Sequence, residues 1–178
     1  IAPEKGLEDA VKIASDLGEK LLVWGLIDDK EYASKIENTF KKDIIEWKGF
    51  LPTNQFQEQL GQCRAFINTP KWNEAYGNVI VEAMACGVPV IAYDLGGPGE
   101  LIQDGLNGFL VEPNDIQGMI KAIKSVSKIK RKNCREWFER KASNKVFAER
   151  VEKWINKGLN KNPSPQSQYK FKKIKKSN

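Results

Sequence analysis

Short apolar runs alternate with amphipathic stretches along most of this chain. Residues 21–24, Leu-Leu-Val-Trp, read as a buried strand stopped by Gly25. Residues 44–47 form a second run that ends before Gly49, and residues 65–68 form a third. Residues 88–93 are the most apolar, and residues 108–111 are the last. The runs are nearly continuous rather than alternating, which marks strands buried on both faces, as in a parallel sheet. Amphipathic segments lie between them. Residues 7–17 put Leu7, Ala10, Val11, Ala14 and Leu17 on one helical face, with Gly18 as the stop. Residues 29–40 open on Asp28 and Asp29, acids favourable at a helix N-terminus. Residues 54–63 follow Thr53 as N-cap, 78–86 end at Gly87, 98–103 begin on Pro98, and 115–126 open on Asp115. This alternation predicts the α/β class: a Rossmann-like, doubly wound parallel sheet with helices on both faces. Residues 130–157 read as wholly helical, with Trp137, Phe138, Val146, Phe147, Val151, Trp154 and Ile155 as packing positions. From Gly158 on, Asn, Pro, Ser, Gln and Lys dominate, a disordered type of composition. The predicted organisation is one domain over residues 1–157 and a Lys-rich tail over 158–178.

Composition narrows the chemistry. The 178 residues include no histidine. That excludes a Ser/His/Asp triad, a Cys/His pair and His-ligated metal helices. Acid/base work by this chain falls to carboxylates, Lys, Tyr or Cys. Cys63, Cys86 and Cys134 are scattered and form no C-x-x-C, which fits a reduced, cytoplasmic protein. Cys86, next to Gly87, reads as a small packing residue. No apolar run approaches the ~20 residues that span a bilayer. No signal-peptide pattern opens the chain, and Ile1 is an unusual start, so a longer parent chain is expected.

Net charge is +6, a value that first points to anionic partners. Its distribution changes that picture. Residues 1–120 hold 10 basic and 19 acidic side chains, while residues 157–178 hold 7 lysines and no acid. The basic excess therefore sits at the C-terminal end, and nucleic acid is not an expected partner. The tail lysines Lys170, Lys172, Lys173, Lys175 and Lys176, with Tyr169 and Phe171 among them, read as a solvated tail. Peripheral docking on anionic lipid at the inner membrane face is the sharper alternative.

The informative stretch is 70–112. Glu74 and Glu82 are separated by seven residues, and Gly77-Asn78 between them introduces the helix that carries Glu82. Such a loop–helix junction leaves free backbone N–H groups at 77–79, which bind phosphate together with the helix dipole. Glu82, about one turn in, can accept two hydrogen bonds from a ribose diol. Glu74, before the turn, can reach hydroxyls beyond the phosphates. Gly96, Gly97 and Gly99 do not fit G-x-G-x-x-G, so a nicotinamide site is not expected. Glu100 either meets ligand or caps its own helix. Asp28 and Asp29 read as helix-start acids rather than a metal pair. Trp72 is the tryptophan singled out for ligand or acceptor contact.

Residues 74–82 and their context resemble the E-x7-E signature of family 4 glycosyltransferases with the GT-B fold. Further segments are similar in order and spacing. Ile1–Gly6 resembles the K-G end of the segment that opens the family's C-terminal domain. Gly25 fits the glycine after its second strand, residues 47–51 its F-x-G strand-to-loop segment, and residues 105–111 its D-G-x-N-G-x-L-V ending. The resemblance covers roughly residues 1–157. It implies a C-terminal, donor-binding domain whose first strand and N-terminal acceptor domain lie upstream of Ile1. It implies that Glu74 contacts the donor sugar and that Lys5 contacts the pyrophosphate, both in the catalytic centre. Tyr76, Gly77, Asn78 and Val79 would hold sugar and phosphates through their backbone, and Glu82 the ribose. Residues 48–51, including Gly49, Phe50 and Leu51, would flank the uracil, and Gly25 belongs to the same donor-binding set. The implied reaction is retaining hexosyl transfer from a UDP-sugar, UDP-glucose foremost, with no metal or other cofactor. Lys71-Trp72-Asn73 departs from the family pattern, and Tyr76 stands where Phe is common. The run from Lys71 to Asn78 is similar to that of cyanobacterial pteridine glucosyltransferases. A sugar-nucleotide epimerase of the same fold and a non-catalytic nucleotide-binding or scaffolding module remain open as alternatives.

Overall fold

The apolar runs form five parallel strands in the computed structural model, which describes residues 1–40 and 43–161. They are β1 (Leu21–Trp24), β2 (Ile45–Gly49), β3 (Phe66–Asn68), β4 (Val90–Tyr93) and β5 (Gly108–Val111). β4 starts two residues later than its apolar run because Pro89 has no N–H for the ladder. The Pro89 carbonyl still accepts from the Phe66 N–H at 2.9 Å. The helices between strands are α1 (Leu7–Leu17), α2 (Lys30–Thr39), α3 (Thr53–Gln62), α4 (Asn78–Ala85), α5 (Pro98–Leu101) and α6 (Ile116–Ser125). Strand–helix alternation and parallel pairing make this the expected Rossmann-like α/β domain.

The strands pair as two groups, β1–β2 and β3–β4–β5. Within the first group Leu21 sits opposite Ile45, and within the second Ile91 lies between Ile67 and Phe109. All four residues of β4 are buried. α6 packs on β4 and β5, α4 on β3 and β4, and α1 on β1 and α6. Each fully buried Ile, Val or Met of this core contributes about 1.5–3 kcal/mol relative to exposure.

The acidic caps act as the sequence predicts. Asp29 accepts from the Tyr32 N–H at 2.8 Å, and Asp115 accepts from the Gly118 N–H at 2.8 Å. Asp28 lies one residue ahead of the Asp29 cap and is not itself the cap. Thr53 differs from expectation. It is the first helical residue of α3, Pro52 occupies the cap position, and no side-chain cap bond forms.

Two compact units divide the chain, Ile1–Arg140 and a second that begins at Lys141. The helical end is not continuous. α7 (Arg131–Lys141) stops before α8 (Asn144–Lys161). Ser143 supplies the break: its hydroxyl accepts from Val146 N–H at 3.4 Å and its carbonyl from Phe147 N–H at 2.9 Å. Trp137 is buried as expected, but Phe147, Val151, Trp154 and Ile155 are exposed, Trp154 at 76%. α8 also runs through Gly158, so the helical part extends past the expected boundary. The predicted Lys-rich tail from 162 onward lies outside the described residues. No described helix is long and apolar enough to cross a membrane.

Candidate functional site

Three segments meet around one cavity in the first unit. The first is a short 3-10 turn, Pro3–Lys5, closed by Gly6 with φ 70°. The second is the loop from Thr69 to Tyr76. The third is the N-terminus of α4.

The Glu74 loop is fixed by its backbone. Glu74 N–H donates to the Leu95 carbonyl at 3.1 Å, and Gly97 N–H donates to the Glu74 carbonyl at 2.6 Å. The contact is too close for side chains on the other strand of this pairing. A Cβ on Gly97 would lie 2.6 Å from the Tyr76 Cα and carbonyl oxygen. Gly96 and Gly97 therefore back the loop that presents Glu74. Sequence reasoning only excluded them from a nicotinamide fingerprint. The available signal was the pair of glycines directly after the most apolar strand.

The chain then turns at Gly77, whose φ of 92° is a conformation L side chains rarely adopt. Ile80 N–H closes onto the Gly77 carbonyl at 2.9 Å. The N–H groups of Asn78 and Val79 keep no partner among the described residues. Two orphan donors at the positive end of a helix dipole have the chemistry to hold an anion. Glu82 stands four residues after Asn78, on the same helical face. Glu82 is an exposed residue, yet the protein around its carboxyl group raises its pKa above the ordinary 4.5 by desolvation.

The cavity has a volume of about 910 Å³. Of the residues singled out in the sequence, Lys5, Gly25, Trp72, Glu74, Asn78 and Val79 line it. Gly49, Phe50, Leu51, Tyr76, Gly77 and Glu82 do not. Gly77 is buried beneath the turn, Tyr76 is 44% exposed, and Phe50 is 73% exposed. Gly49 still touches the group, since its carbonyl accepts from Gly25 N–H at 2.9 Å. Lys48 pairs with Glu46, which lowers the Glu46 pKa. Among the described residues no group of three or more His, Cys, Asp or Glu side chains converges on a common point. The cysteine thiols are pushed up by burial, Cys134 to about 11, so none of the three is an activated nucleophile.

A parallel α/β domain with a phosphate-ready helix N-terminus beside carboxylates has the build of a nucleotide-binding domain. The chain belongs to the family described as glycosyl transferases group 1, whose model matches residues 1–145. It is 36% identical over 123 residues to the uncharacterized glycosyltransferase MJ1178 of Methanocaldococcus jannaschii, covering 66% of this chain and 34% of that protein. It is 45% identical over 133 residues to sucrose synthase 5 of Oryza sativa subsp. japonica, covering 65% and 15%. The chain thus spans about a third or less of the length of these relatives. Among solved structures, Anabaena Alr3699/HepE in complex with UDP superposes with a TM-score of 0.77 at 22% identity, covering 90% of this chain and 46% of that one. AviGT4, a glycosyltransferase of avilamycin A biosynthesis, gives 0.80 at 20% identity, covering 91% and 50%. Both likenesses are of fold.

Proposed function

We propose that this chain is the donor-binding half of a retaining glycosyltransferase that moves a hexose from a UDP-sugar, UDP-glucose foremost. The observation that carries this is the α4 N-terminus. Its two unpartnered N–H groups lie between Glu74 and Glu82, with Lys5 lining the same cavity as Glu74 and Asn78. A diphosphate takes the orphan donors and the Lys5 ammonium, ribose hydroxyls take Glu82, and hexose hydroxyls take Glu74. As the sugar–phosphate bond breaks, negative charge grows on the leaving diphosphate. Donors already aimed at that charge stabilise the transition state without reorganising. Complexes of HepE with UDP and with UDP-glucose support the choice of nucleotide and sugar. The acceptor is assigned to a domain outside this sequence, in line with the small share of each relative that the chain covers.

The upstream strand expected from the resemblance belongs to the same proposal. β1 pairs only with β2, and β3 only with β4, among the described residues. By strand alternation Leu22 and Ile67 turn their backbone N–H and C=O groups away from those partners, and both residues line the cavity. Asn68 lines it too, and its buried Nδ2 has no partner. A five-residue strand at ~4.8 Å lateral and ~10 Å face-to-face spacing fills roughly 800 Å³, close to the volume present. The donor then sits at the carboxyl-end mouth, beside Lys5, Trp72 and Asn78.

Calorimetric titration of the full-length protein with UDP tests the proposal. Saturable one-site binding is expected, together with transfer of hexose from UDP-hexose to an acceptor pool. Absence of any nucleoside diphosphate binding defeats it.

A further inference from the structure

We propose that Trp72 is a positioning residue that sets the Lys5 ammonium for the donor diphosphate. This rests on the donor-binding proposal above. The Lys5 Nζ lies over the Trp72 ring, 4.4 Å from its centroid. Both side chains are exposed, and both line the cavity that also holds Glu74 and Asn78.

What makes the stack a device is how both backbones are clamped. Lys71 N–H donates to the Glu4 carbonyl at 2.8 Å, and the buried Thr69 hydroxyl donates to the Gly6 carbonyl at 2.9 Å. Lys5 therefore sits between two residues that are each bonded to the 69–72 loop. The approach is so close that a Cβ on Gly6 would run into the Thr69 carbonyl oxygen. Lys71 completes the clamp. Its ammonium pairs with Asp9 on α1 and donates to the Asn114 side chain at 2.7 Å. Asp9 in turn accepts from the Tyr93 hydroxyl of β4 at 2.6 Å. The Trp72 ring thus projects from a loop held to the core at several points, two residues before Glu74.

A free lysine loses side-chain entropy when one conformer is fixed. An exposed cation–π contact offsets part of that loss. The indole therefore supplies part of the ordering before donor arrives. Trp72 keeps 47% of its surface exposed and Lys5 is exposed, so the ammonium is accessible to a diphosphate.

The test is a double-mutant cycle in the full-length protein, read by calorimetric titration with UDP. Trp72→Ala is expected to weaken UDP binding about two- to fivefold. Trp72→Phe, which keeps a ring face, is expected to restore most of that. In a Lys5→Ala background Trp72→Ala is expected to add nothing. An equal effect of Trp72→Ala in both backgrounds makes Trp72 a direct ligand contact and overturns the inference. So does a Phe variant as weak as Ala, or a Trp72→Ala protein that binds UDP normally. NMR of isotope-labelled lysine separates this from the functional proposal. The ring-current shift of the Lys5 side chain should vanish in Trp72→Ala whether or not UDP binds. Wild-type protein that shows the shift but no UDP affinity defeats the donor-binding proposal, and wild-type protein without the shift defeats the positioning role.

Discussion

Glu82→Gln separates a binding carboxylate from a structural one. Desolvation raises the Glu82 pKa in the folded protein above the ordinary 4.5. Between the unfolded and folded pKa values the native state holds the extra proton, so stability falls as pH rises through that window and stays lower above it. Ionised Glu82 at neutral pH therefore works against folding, and the neutral amide removes that cost. The Gln variant should melt no earlier than wild type. Binding should respond in the opposite sense. A hydrogen bond to a charged group is worth about 1.5–3 kcal/mol, and an amide oxygen replaces only one of two carboxylate acceptors. UDP affinity should drop roughly ten- to a hundredfold. Calorimetric titration and thermal unfolding on the same preparations read both arms. Uridine, which carries no phosphate to titrate, supplies the pH arm. Its affinity for wild type should weaken as pH falls through the raised Glu82 pKa, and the Gln variant should lack that step. Unchanged UDP affinity, or a loss of affinity that tracks an equal loss of stability, refutes the reasoning.

Four further substitutions probe the backing of the Glu74 loop and the buried polar contacts of the core. Gly97→Ala puts a Cβ 2.6 Å from the Tyr76 backbone, so the Glu74 loop must shift. It should cost about 1–3 kcal/mol in denaturant unfolding and depress UDP binding, whereas Gly99→Ala, facing only the flexible Asp94 carboxylate at 2.9 Å, should do little; equal effects would sink the loop-backing role. Asn107 is fully buried, donates to the Leu101 carbonyl at 3.1 Å and accepts from Gln103 N–H at 2.8 Å. Asn107→Leu strands both groups and should cost about 2–4 kcal/mol by urea midpoint. Tyr93→Phe removes the bond to Asp9 and should cost about 1.5–3 kcal/mol at neutral pH. Burial, and then Asp9, raise the Tyr93 pKa above 10. Its stabilising contribution is therefore present below pH 10 and fades as pH climbs beyond it, so alkaline titration of stability should be flatter in the Phe variant. Tyr32, raised by burial as well, leaves a residual slope, and identical alkaline profiles would remove Tyr93 from the account.

The parts legible in the sequence are those encoded within a few residues. Each buried strand is an apolar run, and Asp29 and Asp115 cap helices by reaching only three residues ahead. The Gly77–Glu82 part of the site is local in the same sense: one turn and one helix set its geometry. The break at Ser143 falls on a Ser-Asn pair, residue types that favour helix caps over helix interiors, and the Ser143 hydroxyl accepts from Val146 N–H. The apolar residues of α8 form a helical face whether or not anything covers them, so periodicity overstated their burial. Contacts that aim the chemistry are of another kind. The backing of Glu74 by Gly97, the clamp of Lys71 on Glu4 and Asp9, and the seating of Lys5 on Trp72 each join residues far apart in sequence. No spacing rule ties such pairs together. The segment 71–73 is where several of these long-range contacts concentrate: Lys71 pairs with Asp9 of α1, and the Trp72 ring carries the Lys5 ammonium. If that segment were only surface, shortening it would leave UDP affinity intact. The clamped geometry requires instead that shortening the loop frees Lys5 and loosens Glu74 together.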